Sequence, residues 1–268
     1  MTADPITLLA ADIGNSHTFL GLLDGEEVTA HWRVNTDERR TADEWAVLLR
    51  GLLAGVGTTV RDLDGVAVSS AVPSILHEWR EMLRVHVAGV PHVVVGPGVR
   101  TGLPVLTDNP REIGTDRVVG AVAAAHRFGG PAVVVGLGGT ATTFDVLDAA
   151  GRYVGGAIAP GLEVASAALG RSGAQLREVE LVRPRTAIAR NTVEALQSGI
   201  VLGGAALVEG MVARVVAELG VPVTEVAVVA TGHLAPVVLG ECACFTDHVP
   251  HLALEGLGLV FSRNSPFA

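Results

Sequence analysis

Aromatic side chains make up only 4% of the 268 residues, and there are two cysteines. With so few rings the core has to be assembled from Val, Leu, Ala and Ile, which a hydrophobic content of 49% supplies. Cys242 and Cys244 are separated by a single residue, so a disulfide between them would be strained and would close almost no loop. Reduced thiols in a strand, one of them buried, are expected instead. Basic residues are short as well, 19 against 28 acidic ones for a net charge of -9. That excludes a sequence-independent nucleic-acid surface, which needs clustered cations to displace counterions. No run of about 18 apolar residues escapes charge or glycine breaks, and no basic stretch precedes an apolar one at the N-terminus. A cytoplasmic protein acting on a small molecule is expected, without a membrane or nucleic-acid partner. Zinc-binding HExxH spacing is missing, as are the Walker A, GxGxxG and GxSxG patterns, so P-loop, dinucleotide and serine-hydrolase chemistries are set aside.

Glycine is plentiful, with 33 residues, and two of its turns organise the chain. Val133 to Leu147 reads as a buried strand, a glycine turn and a second strand leading away. Shifting the sequence by 125 positions places Gly14 on Gly139, Thr18 on Thr143 and Phe19 on Phe144. Two similar halves follow, 1–128 and 129–268, meeting near Phe128-Gly129-Gly130-Pro131. Each gives three strands, a helix, a strand and a helix, the order of an α/β mixed sheet with helices on its faces. In the first half the Asp24-Gly25 turn marks a hairpin, and Thr41 caps a helix with acidic residues in its first turn. Asn191 to Leu219 reads as one or two helices, and Leu252 to Phe261 as the last.

Free N–H groups at such turns converge on an anion, and two turns facing each other would hold a polyphosphate. The plain alternative is two unrelated hairpins, since Gly with Thr or Asn is ordinary turn chemistry. Asp12 ends a strand beside Gly14, Asn15 and Ser16, which joins a possible oxygen ligand for magnesium to phosphate donors. The plain reading of Asp12 is a hydrogen-bonded turn residue. Asp116 opens a helix within Gly114-Thr115-Asp116-Arg117, where the helix N-terminus and Arg117 favour its charged form. An acidic cap with a surface ion pair is the plain reading there. Thr140, Thr142 and Thr143 supply hydroxyls around the second turn.

These motifs together resemble the type III pantothenate kinases of the actin-like and sugar-kinase superfamily. The similar runs are Asp12 to Ser16, Asp108 to Arg117, Gly139 to Val146, Gly155 to Leu162, Asn191 to Ile200 and Thr231 to Pro236. The resemblance implies two ribonuclease H-like domains, a homodimer, and transfer of the ATP γ-phosphate to the primary hydroxyl of pantothenate, the first step of coenzyme A synthesis. It implies that Asp12, Gly14, Asn15 and Ser16 with Gly139, Thr140 and Thr143 hold ATP, and that Asp12 serves magnesium, directly or through water. Asp116 would be the general base. Thr107, Gly114, Thr115 and Arg117 would line the acceptor pocket, with Thr192 reaching it across the dimer interface. Departures from the family pattern fall at Leu137, where an aspartate for a monovalent cation is usual, at Thr107 for a tyrosine, at His233 for a glycine, and at Ser16 for a threonine. The first leaves potassium dependence in doubt, and the second makes the acceptor side roomier and more polar. The same mechanism on another hydroxyl compound, such as a nucleoside or a specialised-metabolism intermediate, is therefore an alternative. An inactive ligand-binding homologue with a regulatory role is another.

Overall fold

A computed structural model describes residues 6–172 and 178–265. The chain runs β1 (Thr7–Ile13), β2 (His17–Asp24), β3 (Glu27–Asn35), α1 (Ala42–Ala54), β4 (Gly65–Ser70), α2 (Pro73–His86) and β5 (His92–Val94). After a long connection come α3 (Thr115–Phe128), β6 (Ala132–Leu137), β7 (Ala141–Leu147), β8 (Tyr153–Pro160) and α4 (Leu162–Ser172). The remainder is α5 (Thr192–Gln197), α6 (Gly203–Leu219), β9 (Ala227–Thr231), the single turn α7 (Ala235–Val238), β10 (Asp247–His248) and α8 (Leu252–Asn264). Among the described residues, α7 and β10 are the α-helix and strand that escape the sequence reading, being too short to carry a period. The cysteines lie in the irregular stretch before β10 rather than in a strand: Cys242 is buried, Cys244 is partly so, and both are free.

Two five-stranded sheets share one plan, β3-β2-β1-β4-β5 and β8-β7-β6-β9-β10. In each, the first three strands form an antiparallel meander and the last two join in parallel. The central strands β1 and β6 are covered on both faces, which is why they read as continuous apolar runs. Within β1, Leu9, Ala11 and Ile13 join the cluster under α1 and α2, where Trp45 and Trp79 pack with ring centroids 5.3 Å apart. The alternate residues face α8, for which Gly21 and Gly65 make room: a Cβ on either would overlap Leu254 or Phe261. Thr41 does cap α1, its hydroxyl accepting the Glu44 N–H while the Glu44 carboxylate accepts the Thr41 N–H at 2.8 Å.

In the second sheet Val133, Val135 and Leu137 pack against Ala205, Val208, Val212 and Val216 of α6. A π-helical turn, Ser198–Leu202, joins α5 to α6, so of the expected one or two helices the structure has one continuous helical run. Thr192–Leu219 is long and apolar enough to cross a membrane by length and composition, and a third of its most apolar 18 residues is buried within this fold.

The chain divides into two compact units. The first holds the chain up to Gly102, Asn109–Ala123 and the chain from Leu252 onward; the second holds Leu103–Asp108 and Ala124–His251. This differs from a cut at 128/129 in three places, the first being that the boundary within α3 falls after Ala123. The last helix packs on β1, β2 and β4 of the first sheet. The Leu103–Asp108 stretch adds to the second, where Val105 bridges Tyr153.

The repeat is also one residue out from the sequence offset of 125. Ile13 pairs with Thr18 and Leu137 with Thr142, so the structural offset is 124. Strand faces alternate, so a shift of one residue exchanges inside for outside. Leu137 matches buried Ile13, and the position matching Asp12 is Gly136. A sequence shift chosen to superpose glycines and threonines cannot register this, because the side-chain face is a property of the pairing.

Candidate active site

Asp12 is the penultimate residue of β1, and the parallel register sets it beside Ser69 of β4. The fully buried Ser69 hydroxyl donates a short hydrogen bond to the Asp12 carboxylate. Next along β4, Ser70 anchors the start of α3: the Thr115 hydroxyl accepts the Ser70 N–H and donates to the Ser70 carbonyl, each at 3.2 Å. That double tie holds the first turn of α3 at the ends of β1 and β4 and brings Asp116 within electrostatic reach of Asp12. Burial first, and the Asp116 charge second, push the Asp12 carboxyl up to about 7, while the Ser69 hydrogen bond acts the other way. Gly114 lies directly beneath the Asp116 carboxylate, so a side chain there would displace it. Arg117 is partly buried in the same turn.

The first glycine turn is braced from β3. The Gly14 N–H donates to the His17 carbonyl at 3.0 Å, and the Thr36 hydroxyl donates to the Gly14 carbonyl at 2.9 Å. Thr36 also donates its N–H to the Ser16 carbonyl at 3.0 Å, and its hydroxyl meets that of buried Thr18 at 2.9 Å. Asn15 and Ser16 are left exposed at the tip. Ser69 and Thr36 are the supporting residues that sequence reasoning missed. Each is a lone hydroxyl in a strand or at its end, and only the pairing of distant strands gives it a role.

The second unit builds its turn differently. Gly139 is buried and Thr140 is exposed at the tip, while Thr143 sits opposite Gly136 on the neighbouring strand. The start of α4 closes on this turn. The Gly161 N–H donates to the Thr140 carbonyl at 3.0 Å and the Val164 N–H to the Gly139 carbonyl at 3.2 Å. Gly161 is required by that approach, since a Cβ there would strike the Gly139 carbonyl. The Glu163 carboxylate lies over Gly139, and its Oε1 is 3.2 Å from Nε2 of His233. Gly232, with φ of +93°, lets the His233 loop press on the Leu137 backbone, and the Leu234 N–H donates to the Leu137 carbonyl at 3.1 Å. The Leu137 side chain is buried in the apolar core, so this position offers a cation no carboxylate. With Gly136 in the Asp12 position, the acid is present in one repeat only.

The residues expected at the acceptor are distributed over both units. Gly114, Thr115 and Arg117 stand with Asp116 in the first. Thr107 belongs to the second, and its hydroxyl oxygen is buried without a hydrogen-bond partner among the described residues. Thr192 is exposed in the first turn of α5, after Asn191 caps that helix by accepting the Glu194 N–H at 2.9 Å.

A family model described as Type III pantothenate kinase matches residues 8–214. A curated Type III pantothenate kinase of Nocardioides sp. is 65% identical over 258 residues, covering 96% of this chain and 99% of that one. Among solved structures, a Campylobacter jejuni protein described as a Baf family transcriptional activator superposes with a TM-score of 0.58 at 16% identity, over 96% of this chain and 98% of that one. A ROK hexokinase of Thermus thermophilus gives 0.50 at 16% identity, over 95% and 98%. At such identities the two structures share the fold alone.

Proposed function

The chain belongs to the type III pantothenate kinase family, and from that premise we propose that it transfers the γ-phosphate of ATP to the primary hydroxyl of pantothenate. The observation that carries the mechanism is the pair of carboxylates, Asp12 ending β1 and Asp116 opening α3, close enough for one charge to raise the other's pKa. Asp116 accepts the proton of the attacking alcohol. In a loose phosphoryl-transfer transition state the alcohol needs orienting more than deprotonating, so a carboxylate fixed by the Thr115 tie is adequate. Gly114, Thr115 and Arg117 border the acceptor on that side. The Asn15 and Ser16 tip, with Gly14 behind it, offers donors to phosphate, as do Gly139, Thr140 and Thr143 in their own unit.

The donor set suits magnesium. Asp12 is a hard oxygen ligand held beside a second carboxylate, an arrangement that a divalent cation relieves. Bound there, directly or through water, the ion would neutralise phosphate charge. A monovalent cation has no carboxylate at Leu137, and the carbonyl of that residue is already engaged; turnover independent of potassium belongs to this reading.

Self-association belongs to it too. Val193 and Leu207 are exposed on the helical run from α5 to α6. Beside them a cavity of about 430 Å³ is lined by Pro160, Leu162, Leu169, Ala195, Gly203 and Leu207. An apolar face of this kind fits a second copy of the chain, with Thr192 at its margin. Cytoplasmic action on a soluble metabolite completes the proposal.

The test is ADP release with pantothenate, pantetheine and nucleosides as acceptors, in potassium and in sodium. Pantothenate-dependent release, equal in both salts, is expected. A second reading, the same transfer to a different hydroxyl compound, draws on the buried unpartnered hydroxyl of Thr107. Release with a nucleoside but none with pantothenate would replace the first reading by the second.

A further inference from the structure

We propose that the Glu163 carboxylate occupies the place at the second glycine turn that a nucleotide phosphate takes, and that His233 is the hydrogen-bond donor serving whichever anion is there. This rests on the nucleotide reading of that turn and names the residues that regulate its occupancy.

The geometry comes from three elements of one unit. The start of α4 is tied to the turn through the Gly161 and Val164 N–H groups. From that helix Glu163 folds back until its Oε2 lies where a Cβ on Gly139 would be, against bare backbone. The loop after β9 brings His233 to the other carboxylate oxygen at 3.2 Å, held by the left-handed Gly232 and by the Leu234 hydrogen bond to Leu137. The Glu163 side chain is 37% exposed and that of His233 is 11% exposed. The acid therefore has room to rotate outward, while the imidazole is fixed by its surroundings.

A carboxylate and a phosphate oxygen seek the same donors, and two anions within about 4 Å repel strongly where water is partly excluded. A phosphate settling on Gly139 must turn Glu163 away, and the imidazole left behind is positioned to donate to the newcomer. The pair thus acts in opposite senses on the nucleotide: Glu163 competes with it and His233 attracts it. A merely structural hydrogen bond would act in one sense, since losing either partner would loosen the same turn.

Titration of Mg-ATP, and separately of adenosine, into the full-length protein at constant pH and ionic strength distinguishes these. Glu163→Gln should lower the ATP dissociation constant roughly threefold to tenfold, and His233→Gln should raise it by a similar factor, the scale of one charge-assisted hydrogen bond. Adenosine affinity should not move, because it has no phosphate. Glu163→Ala should reproduce Glu163→Gln, and thermal melts without ligand establish that each variant is folded. Weaker ATP binding in both substitutions, no change in either, or an equal change with adenosine overturns the inference while leaving the kinase reading intact. Failure of the wild-type protein to bind ATP at all overturns both.

Discussion

Burial and the neighbouring Asp116 charge lift Asp12 to about 7, against roughly 3.9 for an aspartate in an unfolded chain. Between those values the native protein holds a proton that the unfolded chain has released. The contribution of Asp12 to stability is therefore most favourable below about pH 4, falls as pH rises towards 7, and stays at its lowest above that. Asp12→Asn should accordingly stabilise the ligand-free protein by about 1–3 kcal/mol at pH 8 and by little at pH 4, while removing turnover. Melting temperatures at the two pH values test this; an equal shift at both would show that the Asp12 charge is not the cause. Asp116→Asn should lower kcat by about 10²–10⁴ with the ATP dissociation constant within about twofold. A comparable loss of ATP binding would contradict the proposed role of base. The two acids were visible in the sequence because each sits at the edge of an element beside glycine. Ser69 was not, since a serine inside an apolar strand carries no local signal of the carboxylate it will meet.

At the scale of elements, the Thr41–Glu44 capping box was readable from spacing alone, and Thr41→Ala should cost about 1 kcal/mol, measured as a lower urea midpoint with unchanged slope. Gly256 in α8 could not be read in the same way. Alanine in place of a helix glycine ordinarily stabilises by about 1 kcal/mol. Here a Cβ would collide with the Val119 carbonyl of α3, so Gly256→Ala should reverse that sign and destabilise by about 2–3 kcal/mol. A gain in urea midpoint would mean that α8 and α3 part without cost. Thr36 illustrates the same division. Its place just after β3 is a local fact, whereas its hold on the Gly14 carbonyl depends on β2 lying between the two.

For the whole molecule, the duplicated sheet plan was legible as a repeated order of strands and helices. The assignment of α8 was not, because the last helix completes the first unit after the chain has built the second. Removing residues from 252 onward should therefore expose the face of the first sheet carrying Gly21 and Gly65 and abolish folding of that unit, seen as loss of its cooperative melting transition. If the second copy of the chain covers the exposed face of α5 and α6, Leu207→Glu should convert a dimer to a monomer in light scattering while the melting temperature of the isolated chain changes little. Dimers that persist would move the interface elsewhere.

The amino-acid order by itself determined the longer elements, the two glycine turns and the two acids at element edges, since strand alternation, helix periodicity and turn chemistry are local. Tertiary structure alone decided the rest. It placed Ser69 beside Asp12 and tied Thr115 to Ser70, put Gly136 rather than Leu137 in the repeat position of that acid, and brought Glu163 onto Gly139 with His233 behind it. The reason is that strand register and the packing of a helix on a sheet are set between segments far apart in sequence, and a shift of one residue there reverses which side chains face the site.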